Sequence, residues 1–196
     1  MAKNPVDQPI HGLMQNRWSP YAFDSSRSVA SEDLAAIFEA ARWAASAYNA
    51  QPWRYIVGVK GRNDEVWERI HDQVLVEGNQ AWTAHAPVLA LGIVRSAYEH
   101  NDKPNGTAEH DLGAASASLT LEATARGLVV HQMGGILPDV AADLFGLEQP
   151  FKALTGLAIG YAGDGSALPE DIAQRDQKPR QRKPLSEIIL AGGWDD

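Results

Sequence analysis

The sequence contains no cysteine, and that absence excludes several kinds of chemistry. Disulfide bonds, a thiolate nucleophile, cysteine-ligated zinc and iron–sulfur clusters held by the chain itself are ruled out. Basic residues are also scarce, because 17 Lys and Arg stand against 25 Asp and Glu and leave a formal net charge of -8. This balance disfavours nucleic acid or an anionic membrane surface as the main partner. A cytoplasmic location fits the lack of cysteine and is our expectation.

Long hydrophobic runs are missing as well. The longest, "APVLALGIV" at 86–94, is too short to span a bilayer and predicts a buried strand. No apolar region of the kind that a secretory signal needs is visible near residue 1. Neither G-x-S-x-G, a Walker A loop nor H-E-x-x-H occurs, so acyl transfer, P-loop chemistry and a helical metal site lose support. We expect no metal site, although His100 and His110 lie among acidic residues.

Apolar periodicity predicts helices interleaved with strands. The first helix, "SEDLAAIFEAARWAA", has Ser31 as its expected cap and an apolar stripe that includes Ile37 and Ala41. Weaker periodicity predicts a helix over 63–75, and a helix rich in small residues covers 112–127, with Gly127 as a natural C-cap. The predicted strands are 54–60, 86–94, 128–133 and 154–162.

The composition changes after residue 163, where the chain becomes polar and rich in Pro and Gly before a short apolar "LSEIIL". We expect residues 164–196 to form an arm that drapes over the body or over a second copy of it. Within this arm "RDQKPRQRKP" concentrates basic residues in an otherwise acidic chain. An anion site and a solvated surface run both fit that segment.

Three other stretches could serve a ligand or a plain structural purpose. In "NRWSPYAF", Arg17 and Ser19 could grip a phosphate together, or simply flank a proline turn. In "MGGIL", Gly134 and Gly135 could let a flat ligand approach the backbone, or form a tight turn. His131 lies inside a predicted strand and is expected to be a core residue.

Taken together, these stretches resemble the FMN-dependent nitroreductase family. The resemblance runs over nearly the whole chain and rests on several ordered motifs, which are "RWSPYAF", "AASAYNAQPWRYIV", "NQAWTAHAPV", "DLGAASASLTLEATARGL", "MGGIL" and "RQRKPLSEII". It implies an α+β fold with a central mixed sheet wrapped by helices. It also implies one domain over 1–196, in an intertwined homodimer whose C-terminal arm, about 164–196, reaches the partner subunit.

The resemblance assigns residues to FMN. Arg17 and Ser19 would hold its phosphate and ribityl end, closed by Arg180 and Arg182. Asn79 would lie near the pyrimidine side of the ring. The full set of expected cofactor residues is Arg17, Ser19, Tyr21, Ala45, Ser46, Ala47, Asn49, Asn79, Gly134, Gly135, Arg180 and Arg182. Those from Ala45 to Asn49 would come from the other subunit, and the backbone at the two glycines would face the flavin N5.

Two positions depart from the family pattern. Tyr21 stands where a second basic residue is common, and Gly134 stands where many members have an acidic one. The implied activity is reduction of nitroaromatic or quinone-type substrates with NADH or NADPH by ping-pong hydride transfer, with the flavin and no side chain carrying the chemistry. The alternatives are another flavin reaction on the same scaffold (desaturation, dehalogenation or flavin breakdown) or a flavin-binding protein without turnover.

Overall fold

The structure, a computed structural model, describes residues 4–194. Its centre is a four-stranded sheet in the order β1-β2-β4-β3. The strands are β1 Trp53–Val59, β2 Val88–Arg95, β3 Val129–Met133 and β4 Phe151–Gly160. All three pairings are antiparallel, so the expectation of a mixed sheet is wrong for the described residues of one chain. The order of strands and helices along the sequence does not by itself specify whether neighbouring strands run parallel or antiparallel.

Helices cover both faces of the sheet. Their bounds are α1 Gly12–Asn16, α2 Ser31–Arg42, α3 Asp64–Glu68, α4 Glu77–Thr83, α5 Ala108–Ala125, α6 Pro138–Phe145, α7 Glu170–Gln177 and α8 Leu185–Ile188. A 3-10 turn spans Ala47–Asn49, and a π-helical stretch, Arg69–Val74, continues α3. Within residues 4–194, no helix has both the length and the apolar character needed to cross a bilayer.

The core has two parts because side chains alternate across the sheet. On one face, α2 and α5 pack against it through residues such as Ile37 and Leu119, which are fully buried. On the other face, the π-helical stretch, α6 and α7 contribute residues that include Ile70 and Ile172. The apolar stripe predicted for the first helix is therefore the one that it buries.

The helix ends show one correction and one agreement. Ala30, not Ser31, occupies the N-cap of α2, since Ser31 is already helical and its Oγ accepts a hydrogen bond from Arg62 Nη1. After α5, Gly127 has a φ of 73°, and Leu128 N donates to Ala123 O. A left-handed residue at that position is the glycine termination that the sequence predicted.

Candidate cofactor site

Basic residues from the two ends of the chain meet beside α1. Arg17 follows α1 directly and donates from Nη1 to Ser19 Oγ over 3.3 Å. Arg180 and Arg182 line a cavity of about 230 Å³ together with Arg17. Burial lowers the pKa of the Arg17 guanidinium below its ordinary value, and the positive charges of Arg182 and Arg180 lower it further. Cations held this close together fit the binding of a multiply charged anion.

A second cavity, of about 370 Å³, connects this cluster to the sheet. Arg17 and Ser19 line one side of it, and Gln132 of β3 lines another. The side chain of Gln132 is held in place because its Nε2 donates to Thr120 Oγ1 over 2.9 Å and to Ser116 O over 3.1 Å. Since β3 ends one residue later, the cavity lies beside the strand that leads to the paired glycines.

The two glycines after β3 differ in their surroundings. Gly134 is exposed, and a Cβ added there would meet nothing within 4 Å, so a flat group can approach its backbone. A Cβ at Gly135 would lie 2.6 Å from Asn79 Nδ2 and 2.9 Å from Val76 Cγ2. Asn79 Nδ2 also donates to Gly135 O over 2.8 Å. The structure therefore brings Asn79 and the paired glycines together.

The segment from Ala45 to Gln51 forms a strained loop around the 3-10 turn. Tyr48, Asn49 and Gln51 have φ values of 52°, 55° and 46°, in the left-handed region that non-glycine residues rarely adopt. Ser46 Oγ accepts a hydrogen bond from Gln51 N over 3.0 Å, which helps to close the loop. Backbone strain of this kind concentrates at functional sites and persists where surrounding contacts enforce it.

One of those contacts comes from α5. Ala47 N donates to Asp111 Oδ2 over 3.2 Å, and Asp111 is only 3% exposed. This loop leads into β1 at one edge of the sheet, whereas Gly134 and Gly135 follow β3 at the opposite edge. The expected residues Ala45, Ser46, Ala47 and Asn49 thus lie apart from the others in one chain.

Tyr21 lines neither cavity. Its ring packs edge-on against Trp82 and His131, with centroids 5.2 and 4.8 Å apart. His131 Nδ1 lies 2.9 Å from Pro20 O. Burial lowers the pKa of His131, so the neutral ring donates its Nδ1 proton to that carbonyl. The structure thus places both side chains in the packing behind the site.

Two residues of this region were missed by the sequence reasoning. Gln132 carried a usable signal, because two polar side chains in succession are unusual in a five-residue strand with buried ends. Asp176 carried none, since it lies in a helix full of charges. Its carboxylate accepts hydrogen bonds from Tyr21 N and Ala22 N. Within residues 4–194, no group of three or more His, Cys, Asp or Glu is arranged to hold a metal ion.

The chain is similar in sequence to known proteins over most of its length. A model of the nitroreductase family matches residues 14–161. An uncharacterised 15.4 kDa protein of Mycolicibacterium smegmatis is 34% identical over 147 residues, which cover 72% of this chain and 97% of that protein. The major NAD(P)H-flavin oxidoreductase of Aliivibrio fischeri is 41% identical over 67 residues, which cover 34% of this chain and only 29% of that enzyme.

A solved structure of an oxidoreductase containing FMN shares the whole fold. It superimposes with a TM-score of 0.89 over 100% of this chain and 98% of the other, at 36% sequence identity. The sequence match and the structural match therefore point the same way. The protein belongs to the nitroreductase family.

Proposed function

We propose that the protein is an FMN-dependent oxidoreductase that uses NADH or NADPH to reduce nitroaromatic or quinone-type substrates. The observation that carries this proposal is the cation cluster of Arg17, Arg180 and Arg182 beside a cavity lined by Val130 and Gln132 of β3, the strand that leads to the exposed backbone of Gly134. A flat ring with a phosphorylated tail fits such a site. The similar solved structure contains FMN, and the Aliivibrio relative is an NAD(P)H-flavin oxidoreductase.

The residues present suit the two ends of FMN. Guanidinium groups form charge-assisted, often paired, hydrogen bonds with phosphate, and Ser19 adds a hydroxyl beside Arg17. Asn79 and the two glycines would face the ring. When bound, FMN would supply the redox chemistry of hydride transfer from the nicotinamide to the second substrate. The side chains of this site hold and orient, since none of them is needed as a nucleophile.

We further propose that the working form is a homodimer, because the chain exposes more surface than a compact monomer. A monomer of this mass exposes about 9,100 Å², whereas this chain exposes 11289 Å². Part of the excess is apolar: Leu190 and Tyr48 are 92% and 91% exposed, and Trp43 is 75% exposed. Large exposed apolar side chains indicate an interface.

The arm is divided in this proposal. Ile172 of α7 is buried in the core of its own chain, so residues 164–177 stay on the body. Arg180 and Arg182 line the cavity beside Arg17 of the same chain, so in this proposal it is the residues after Arg182 that reach the partner subunit. In such a dimer the strained loop of Ala45 to Asn49 supplies the partner's flavin site, which accounts for its separation from Arg17 within one chain. The domain then covers 1–196.

The test is direct. The purified protein should show the visible spectrum of bound FMN, and that absorbance should bleach when NADH or NADPH is added without oxygen. It should return on addition of 1,4-benzoquinone or nitrobenzene. Protein whose flavin stays oxidised with both donors would contradict a reductase and favour a flavin-binding protein without turnover. Bleaching without recovery by either acceptor would contradict the proposed substrates and favour another flavin reaction.

A further inference from the structure

A single carboxylate fixes the segment that carries Ser19 to the start of the arm. Tyr21 N donates to both oxygens of Asp176, over 2.9 and 3.0 Å, and Ala22 N donates to Oδ2 over 2.9 Å. These residues are more than 150 positions apart in the sequence, with a separation of 155 for the first pair. Two backbone donors on one partly buried carboxylate make a strong, directional attachment.

The position of Asp176 along the chain gives that attachment a consequence for the cation cluster. Tyr21 stands two residues after Ser19, and Asp176 stands four residues before Arg180. Since an extended chain advances at most about 3.6 Å per residue, the Cα of Arg180 lies within about 14 Å of that of Asp176. α7 ends at Gln177 and Lys178 is extended, and the chain then runs to Arg180 and Arg182, which line the cavity beside Arg17.

Neighbouring contacts strengthen the same joint. The guanidinium of Arg175 lies 5.4 Å from the ring centroid of Tyr21, and Ile172 anchors α7 in the core. The residue before Tyr21 is also fixed, because Pro20 O is hydrogen-bonded to His131 Nδ1. The hydrogen bonds from Tyr21 N and Ala22 N let Asp176 act on the cluster by fixing the path of the chain. Removing its negative charge would by itself favour a bound phosphate, so a loss of preference for FMN would have the opposite sign to a charge effect.

We propose that Asp176 is a positioning residue that sets the spacing between the Arg17–Ser19 pair and the arginines of the arm, and thereby sets the preference for a phosphorylated flavin over an unphosphorylated one. This inference rests on the proposed FMN site. Asp176 itself touches no ligand. It determines whether the Arg17–Ser19 pair and the arginines of the arm reach one phosphate at the same time. Only then do their contributions to the binding free energy of the phosphate add.

The experiment compares Asp176→Asn with Asp171→Asn. The first change is isosteric and leaves one acceptor oxygen where two accepted hydrogen bonds. The second removes a carboxylate from the same helix, where it makes only an exposed ion pair with Arg175 at 3.6 Å. The dissociation constants of FMN and of riboflavin are measured for the flavin-free proteins by fluorescence quenching. Thermal unfolding of each protein shows whether the fold is kept.

In the wild-type protein FMN should bind more tightly than riboflavin. In Asp176→Asn the ratio of the two dissociation constants should fall by about tenfold, while riboflavin binding stays unchanged. Asp171→Asn should keep the wild-type ratio. An unchanged ratio in Asp176→Asn, or an equal weakening of both ligands, would overturn the inference, because a purely structural role affects both flavins alike. A wild-type protein that binds neither flavin would instead overturn the proposed FMN site.

Discussion

Replacing Gly135 by alanine puts a methyl group where Asn79 already lies. The new Cβ would stand 2.6 Å from Asn79 Nδ2 and 2.9 Å from Val76 Cγ2. Carbon and nitrogen atoms in contact are normally about 3.5 Å apart, so the amide nitrogen must retreat by roughly 0.9 Å. That nitrogen is also the donor in the 2.8 Å hydrogen bond to Gly135 O. The substitution therefore creates overlap and breaks the bond that orients Asn79.

The two effects set the magnitude. Overpacking costs about 1–3 kcal/mol of unfolding free energy, and loss of the hydrogen bond adds about 1 kcal/mol. Neither Gly134 nor Gly135 has a positive φ, so alanine causes no backbone strain at either position. Gly134→Ala is the matched control, because its Cβ would meet nothing within 4 Å. It should stabilise the protein by up to about 1 kcal/mol through the unfolded chain.

Urea unfolding of the flavin-free proteins checks this prediction. Gly135→Ala should lower the unfolding free energy by about 2–4 kcal/mol relative to Gly134→Ala, with a matching drop in thermal midpoint. It should also weaken FMN binding, because Asn79 would lose the orientation in which we propose that it faces the ring. Equal stability of the two variants would show that the Asn79 side chain moves away freely, and would refute the view that Gly135 is required for its placement.

Three further predictions test the charges of this region. Arg182→Gln should weaken FMN binding by about tenfold and leave riboflavin binding unchanged. The adjacent Lys183→Gln should change the binding of neither flavin. Equal effects of the two variants would contradict a specific contact between Arg182 and the phosphate. Burial lowers the pKa of His131 in the folded protein, so only the unfolded chain gains its proton near pH 6.5. The contribution of His131 to stability is present above that pH and is lost as the pH falls. His131→Asn should therefore reduce the decline of the unfolding free energy, measured in urea, between about pH 7 and 5. An unaltered decline would show that other groups cause it. Asp111→Ala leaves the Ala47 N–H without its acceptor, so it should lower the unfolding free energy measured in urea by about 1–3 kcal/mol. It should also raise the dissociation constant of the proposed dimer, measured by sedimentation. A change in neither quantity would contradict the proposed role of the loop.

Local patterns predicted the four strands and the long helices α2 and α5, because the information that they need is local, but did not predict α1, α4, α7 or α8. The apolar stripe of α2, the buried run of β2 and the glycine after α5 are each read within a few residues. Strand pairing is different. Whether two strands run parallel or antiparallel depends on the end of the sheet at which the connection starts the next strand, and a mixed sheet fits the same alternating pattern of strands and helices.

The site shows the same division. Arg17 and Arg182 were each marked by their sequence context, but their meeting depends on the whole path of the chain between them. Composition can show that basic residues are concentrated in the arm, but it cannot show which residues of the body lie beside them. Asp176 is the clearest case, because its partners are backbone N–H groups of Tyr21 and Ala22, and a backbone amide leaves no trace in the residue type. Contacts of that kind become visible only in three dimensions.

The strand order has a consequence for the chain as it is synthesised. β2 is buried along almost all its length and lies between β1 and β4, yet α5, β3 and α6 are made before β4 emerges. Until Phe151–Gly160 leaves the ribosome, one edge of an almost wholly apolar strand has no partner. Unpaired edges of this kind recruit other chains. Fragments that stop short of Phe151 should consequently aggregate.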